Sequence, residues 1–194
     1  YLNLTYRSMI KITNKIIKSA DDYPLSYLQF EPENNTRNKS LILVYEIFGL
    51  TDHIKNVAKE YAENGFLVVI PDIFSRLKNN VNLPYNKDGF SKGIHLKEKL
   101  GWELPVMDIV ALAATLRLES NVSVLGYCYG GSLAWLAMQK SFIFEKGICY
   151  YGSSIPEFLE SNVNCPGMLH FGSEDKGIPI ESIEKIKKFI NMNT

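Results

Sequence analysis

The stretch LGYCYGGS, residues 125–132, decides the fold of this chain. The run NVSVLG that leads into it has the apolar pattern of a buried strand, and the run GSLAWLAMQK that follows has that of a helix. Cys128 lies between them with a glycine two positions away on either side, Gly126 and Gly130. Small residues there let the strand and the helix approach closely while the central residue adopts a strained backbone. This spacing predicts a sharp elbow that presents the Cys128 thiol; the alternative is a buried cysteine in a glycine-rich turn.

The helix that begins near Gly130 should point its free N–H groups and its positive dipole end at the sulfur of Cys128. A positive potential favours a thiolate, which is the nucleophilic form of cysteine. The elbow therefore indicates nucleophilic catalysis, and the central cysteine excludes a serine-type esterase at this position.

Outside the elbow, short apolar runs alternate with amphipathic segments. Strands are predicted in five other places, namely residues 24–32, residues 41–46, residues 66–72, GICYYGS and GMLHFGS. Helices are predicted from Thr51 or Asp52 to about Asn64, over residues 105–118, and over IESIEKIKKFI near the end. Residues 79–93, which contain Asn, Pro, Lys and Gly, are expected to form a loop or cap. This alternation predicts an α/β fold with a mainly parallel sheet covered by helices on both faces.

Composition and charge limit the kind of partner. The 194 residues suit one domain, and 21 basic residues balance 21 acidic ones. The zero net charge offers no field for nucleic acid or anionic lipid, so a small-molecule partner is expected. Three cysteines without metal-ligand spacing, no long apolar run and no secretory signal predict a cytoplasmic protein without a membrane partner. The oligomeric state is not indicated.

Two acidic residues stand out beside the elbow. Glu46 ends an apolar run, where a carboxylate is costly unless it is paired or functional. In α/β folds with a nucleophile elbow, the oxyanion-hole donors come from the loop after this strand and from the residue after the nucleophile. The predicted donors are therefore the backbone N–H groups of Ile47 and Tyr129. Asp175 lies in a turn after a late strand, the place of the acid in a triad, with Glu174 as the neighbouring competitor.

Four blocks of the sequence, in this order, carry a resemblance to a known family. They are EIFGL at residues 46–50, PDIFSR at residues 71–76, GYCYGG at residues 126–131 and HFGSED at residues 170–175. Together they resemble the dienelactone hydrolase family, whose members have the α/β-hydrolase fold. The resemblance implies an ester or lactone hydrolase with no metal or organic cofactor. It also favours Asp175 over Glu174 as the acid.

In that family a Cys-His-Asp triad is assisted by a glutamate, and Cys128, Asp175 and Glu46 match three of these roles. The thiol is held near the glutamate and becomes a thiolate as substrate binds. It then attacks the carbonyl carbon, and water releases the acyl-enzyme. Arg76, in the second block, could hold a substrate carboxylate or could form a structural ion pair.

The fourth role, the catalytic base, has no match, because none of the residues after Asp175 is histidine. One explanation is a fragment: a single domain over residues 1–194 that lacks its final strand and helix, with residues 1–8 as a non-native start. A second is substitution by His53, His170 or His95. The third is a binding or regulatory relative without turnover. A chain without the catalytic histidine is expected to hydrolyse activated esters weakly, if at all, because loss of a triad member lowers the rate by several orders of magnitude.

Overall fold

The computed structural model describes residues 9–33 and 38–193. Within these ranges the chain forms one seven-stranded sheet in the order β1-β2-β4-β3-β5-β6-β7. The strands are β1 (Ile10–Lys18), β2 (Pro24–Pro32), β3 (Lys39–Val44), β4 (Leu67–Pro71), β5 (Asn121–Tyr127), β6 (Phe144–Tyr150) and β7 (Gly167–His170). The two strand pairs β1–β2 and β2–β4 are antiparallel, and all other pairs are parallel.

Helices flank this sheet. They are α1 (Asp52–Glu63), α2 (Lys87–Leu100), α3 (Glu103–Arg117), α4 (Tyr129–Lys140) and α5 (Ile180–Asn193), with short 3-10 turns at Ile73–Arg76 and Ile155–Glu157. The helix α4 is buried along most of its length, since it packs on β3, β5 and β6 and also contacts α3. The predicted α/β fold with a mainly parallel sheet is confirmed. The prediction about residues 1–8 falls outside the described residues.

Most predicted elements are present with small shifts in their bounds. The central strands β3, β4 and β5 are buried because helices cover the sheet, which explains their continuous apolar sequences. The helix α1 begins after Thr51, whose hydroxyl accepts the Ile54 N–H, and the chain leaves it through Gly65 at φ 86°. The strand predicted over residues 41–46 ends at Val44, so Glu46 lies in the loop that follows.

The expectation of a loop over residues 79–93 is wrong in its second half, because α2 begins at Lys87. Asn86 caps this helix by accepting a hydrogen bond from the Gly89 N–H at 2.9 Å. The two glycines that suggested a loop are there for close packing. A Cβ on Gly89 would lie 1.9 Å from the carbonyl oxygen of Pro84, and one on Gly93 would lie 2.5 Å from that of Ile47. Helix propensity is lower at both positions, but tertiary contact decides the structure.

The strand β1 was not predicted, and its exposure explains why. It is an edge strand that pairs only with β2 in the described structure, and most of its residues face solvent. Its sequence IKITNKIIK therefore lacks the continuous apolar run that marks the inner strands.

Arg76 is a structural residue in this fold, as one of the two hypotheses proposed. Its Nε and one terminal nitrogen donate to the Asp108 carboxylate at 2.8 and 2.7 Å, and its terminal nitrogens also donate to Asp21 at 2.8 and 2.9 Å. The guanidinium carbon lies 4.2 Å from the centroid of the Tyr23 ring. Asp108 is fully buried, and the Arg76 side chain is only 9% exposed. These bonds tie α3 to the chain after β4 and leave Arg76 fully paired.

Replacing Asp108 with alanine should destabilise the fold strongly, because it leaves the buried Arg76 guanidinium short of a partner. We expect a loss of about 3 kcal/mol in the free energy of unfolding, measured by urea denaturation. The matched control is Asp88→Ala, which removes an exposed pair with Lys92 and should change stability by less than about 0.5 kcal/mol. Equal losses in the two variants would refute the structural role of Asp108.

Candidate functional site

The candidate site lies where parallel strands of the sheet end. Val44 pairs with Gly126 at the ends of β3 and β5, and Tyr150 pairs with both Tyr127 and His170 at the ends of β5, β6 and β7. The carboxyl ends of these strands therefore share one edge. The loops that follow them carry the residues that the sequence singled out.

Cys128 occupies a sharp elbow between β5 and α4. Its φ of 54° and ψ of −117° are unusual for a residue with a side chain, and such strain is characteristic of functional turns. A Cβ on Gly126 would lie 1.9 Å from the Gly130 oxygen, so only glycine fits there. The Cys128 N–H donates to the Tyr150 oxygen at 2.9 Å, which fixes the turn to β6. The elbow geometry predicted from the glycine spacing is present.

The two backbone groups predicted to form an oxyanion hole converge on Cys128. The N–H groups of Tyr129 and Ile47 are both close enough to the sulfur to favour its thiolate and to lower its pKa. They come from the first residue of α4 and from the loop after β3, which are far apart in sequence.

The thiol of Cys128 is nevertheless held in its neutral form. Burial raises its pKa above the ordinary value, and this effect outweighs the backbone N–H of Tyr129. The carboxylate of Glu46 raises the pKa further, while Lys97 and the Ile47 N–H act in the opposite direction. The N–H at the start of α4 favours the thiolate, in the predicted direction, but loss of hydration is the larger effect and the pKa of the thiol is raised.

Glu46 is held by two tyrosine hydroxyls. Tyr85 donates to one carboxylate oxygen at 2.7 Å, and Tyr151 donates to the other at 3.1 Å. Burial raises the pKa of the Tyr85 hydroxyl to about 12, with Glu46 adding to the effect, so Tyr85 stays a donor. Burial and the Glu46 charge also raise the pKa of Tyr151. The carboxylate thus has fixed partners close to the sulfur, in keeping with the predicted position of Glu46 beside Cys128.

Asp175 is at the same end of the sheet but is not joined to Cys128. It lies in an exposed turn after β7, where its carboxylate accepts the Gly177 N–H at 2.8 Å. Within the described ranges no hydrogen bond links Asp175 to Cys128 or to a histidine. Glu174, the competing acid, is also exposed in this turn.

The three histidines have surroundings that do not involve the thiol. His170 stacks on Tyr150 with ring centroids 4.5 Å apart. His53 is exposed in the first turn of α1 and meets Tyr85 edge-on at 6.4 Å. His95 is exposed on α2. In the part of the chain that the structure describes, none of the three forms a hydrogen bond to Cys128.

Three residues near Cys128 were not singled out by the sequence: Tyr85, Tyr151 and Lys97. Tyr85 belongs to the segment that was expected to form a loop or cap, and Lys97 lies beyond it in the part of α2 for which no element was predicted. Tyr151 follows β6, and its φ of 40° is strained like that of Cys128. The signal that could have found Tyr151 is its position at the carboxyl end of a predicted parallel strand, where site residues of α/β folds collect.

The described residues contain no group of three or more His, Cys, Asp or Glu side chains arranged to hold a metal ion. A cleft of about 990 Å³ lies beside Trp102 and the start of α3, but Cys128 does not line it. No described helix is long and apolar enough to cross a membrane.

Two curated relatives match most of the chain. A protein from Synechocystis sp. is 26% identical over 163 residues, covering 76% of this chain and 66% of its own length. The carboxymethylenebutenolidase of Pseudomonas putida is 25% identical over 160 residues, covering 79% of this chain and 67% of its own length. The chain thus spans about two thirds of the length of these relatives.

A crystal structure from Klebsiella pneumoniae has the same fold. It superposes with a TM-score of 0.80 at 20% sequence identity, covering 95% of this chain and 81% of the other. The sequence profile of the dienelactone hydrolase family matches residues 25–194, which include the elbow, the Glu46 loop and the Asp175 turn. On this match the chain belongs to the dienelactone hydrolase family.

Proposed function

We propose that this protein hydrolyses a carboxylic ester or lactone through an acyl-enzyme on Cys128. The observation that carries the proposal is the convergence of the Ile47 and Tyr129 N–H groups on the sulfur of a strained elbow cysteine. Such a set of donors suits acyl transfer, in which negative charge develops on a carbonyl oxygen next to the attacking atom. Family membership supports the class of reaction, and the Pseudomonas putida relative is named for a carboxymethylenebutenolide.

In the first half of the reaction, the Cys128 thiolate attacks the carbonyl carbon and a carbon–sulfur bond forms. The carbonyl oxygen becomes an oxyanion and accepts hydrogen bonds from Ile47 and Tyr129. The bond to the alcohol oxygen then breaks, and the alcohol leaves with a proton. A thioester on Cys128 remains; in a lactone the alcohol stays attached to the acyl group.

The thiol must lose its proton first, and the groups around it control that step. The buried thiol beside the Glu46 carboxylate is neutral at rest. Its proton passes to a general base, for which the family resemblance implies a histidine oriented by Asp175. In the second half, water attacks the thioester carbonyl, the carbon–sulfur bond breaks, and the carboxylic acid product leaves.

A binding or regulatory protein without turnover is the second candidate. The observation that favours it is that no described histidine forms a hydrogen bond to Cys128 or to Asp175. Such a protein would keep the elbow as a structural turn, and its thiol would not be acylated by an activated ester.

We expect p-nitrophenyl acetate to acetylate Cys128. At alkaline pH, release of p-nitrophenolate should show a stoichiometric burst followed by slow turnover, because solvent then ionises part of the thiol and acylation can proceed without the base, whereas release of the acyl group still needs it. Stopped-flow absorbance measures the burst, and peptide mass spectrometry locates the acetyl group.

Cys128→Ala should abolish this burst. Cys165→Ser is the matched control, because Cys165 is a half-buried thiol outside the elbow, and this variant should retain the burst. A burst that survives Cys128→Ala, or no acetylation of the unaltered chain, would argue for the non-catalytic candidate.

The pH dependence of alkylation should show that the Cys128 thiol is neutral at pH 7. The midpoint for reaction of Cys128 with iodoacetamide should lie above the ordinary thiol value of about 8.5, because burial disfavours the thiolate. Glu46→Gln should lower this midpoint, since it removes an anion that opposes the thiolate, and Glu98→Gln on the exposed face of α2 should leave it unchanged. A midpoint that Glu46→Gln raises or leaves unchanged would contradict the role assigned to Glu46.

A further inference from the structure

The strand β1 is an open edge of the sheet in the part of the chain that the structure describes. It pairs with β2 alone, in an unbroken antiparallel register from Ile10–Pro32 to Lys18–Pro24. Along its other side, the backbone N–H and C=O groups that point away from β2 have no strand partner among the described residues. A regular edge of nine residues is a template for pairing with a further strand.

Two large apolar side chains on this edge face solvent. Ile12 is 55% exposed and Ile16 is 67% exposed. They lie on the same face of the sheet, with Asn14 between them, because successive side chains of a strand alternate between faces. Exposed isoleucines beside unpaired backbone groups are features that the edge strands of monomeric proteins avoid. This edge therefore has the properties of an interface.

The charge of β1 limits which strand can pair with it. The strand carries three lysines and no acidic residue, and lysines on an edge normally oppose pairing with another chain. A second copy of β1 brings the same three charges, so it can be accommodated only where the lysines do not face one another. Two copies related by a two-fold axis pair antiparallel, and the residue on the axis determines every other pair.

An axis through Asn14 satisfies this condition. Asn14 is the midpoint of Ile10–Lys18, so all nine residues of each copy find a partner. Ile12 of one copy lies opposite Ile16 of the other at two symmetric places, and directly opposed side chains of this kind are in contact. Every lysine lies opposite an uncharged residue: Lys11 faces Ile17, Lys15 faces Thr13 and Lys18 faces Ile10.

Charge disfavours the neighbouring registers. An axis one residue earlier, at Thr13, would place Lys11 opposite Lys15 twice, and an axis one residue later would place Lys15 opposite Lys15 of the second copy. Like charges directly opposed on adjacent strands are destabilising. The sequence IKITNKIIK thus favours the one register in which the exposed isoleucines meet and the lysines do not.

We propose that the β1 edge is an interface between two copies of this chain, which pair as antiparallel strands about a two-fold axis at Asn14. The pairing joins two seven-stranded sheets and supplies roughly eight to ten backbone hydrogen bonds. It occupies the open β1 edge of both copies, so this contact closes at a dimer. The other end of the sheet, β7, has only the four residues Gly167–His170 and offers fewer hydrogen bonds. The inference goes beyond the proposed function and does not depend on Cys128.

Sedimentation velocity of the 194-residue chain tests the proposal. The unaltered chain should be a dimer that dissociates on dilution. Ile12→Lys and Ile16→Glu should each raise the dissociation constant about tenfold or more, because a charge then faces an isoleucine at both symmetric places. Phe142→Lys is the matched control: Phe142 is 85% exposed between α4 and β6, and this variant should remain dimeric. A monomeric unaltered chain, or a dimer that neither β1 variant weakens, would overturn the proposal.

A mixture of the two β1 variants tests the register and guards against a variant that fails to fold. In the mixed pair the introduced lysine faces the introduced glutamate at one place, and Ile16 faces Ile12 at the other. The heterodimer should therefore form at a concentration where neither variant alone self-associates, which a misfolded chain could not do. A mixture that remains monomeric would also overturn the proposal, because a dimer in another register gives no such complementation.

Discussion

The site depends on the close approach of α4 to the end of β3. A Cβ on Gly130 would lie 2.2 Å from the Val44 oxygen and 2.6 Å from the Tyr45 oxygen, so the first turn of the helix touches the backbone of a central strand. This contact places the N–H of Tyr129 next to the loop that carries Ile47. It also forces Cys128 into its strained conformation, because the chain must turn within one residue. The positions of the Tyr129 N–H and of the sulfur thus depend on the absence of a side chain at Gly130.

The parts of the fold that could be predicted are those in which local pattern and tertiary environment agree. Buried strands such as β4 have continuous apolar runs because helices cover the sheet, and the glycines around Cys128 mark the elbow. Glu46 could be singled out because a carboxylate after an apolar strand conflicts with its surroundings. The α/β fold and the meeting of Cys128 with the Ile47 loop follow from these signals, since the ends of parallel strands share one edge.

The rest could not be predicted because it depends on contacts between distant segments. Gly89 and Gly93 weaken the helical pattern of α2, and only their packing against Pro84 and Ile47 explains them. The direction of the thiol pKa is a second case, because the helix dipole is visible in the sequence whereas the burial of Cys128 is not. Asp175 is a third case: the sequence predicts its place at this end of the sheet, but within the described residues no hydrogen bond joins it to Cys128 or to a histidine.

One face of α2 carries Gly93, which packs against the Ile47 carbonyl, and Lys97, which lies beside the Tyr129 ring. Both the Ile47 N–H and Lys97 lower the pKa of the Cys128 thiol. A displacement of α2 would change the two effects together, so this helix links the packing of the Ile47 loop to the ionisation of the thiol.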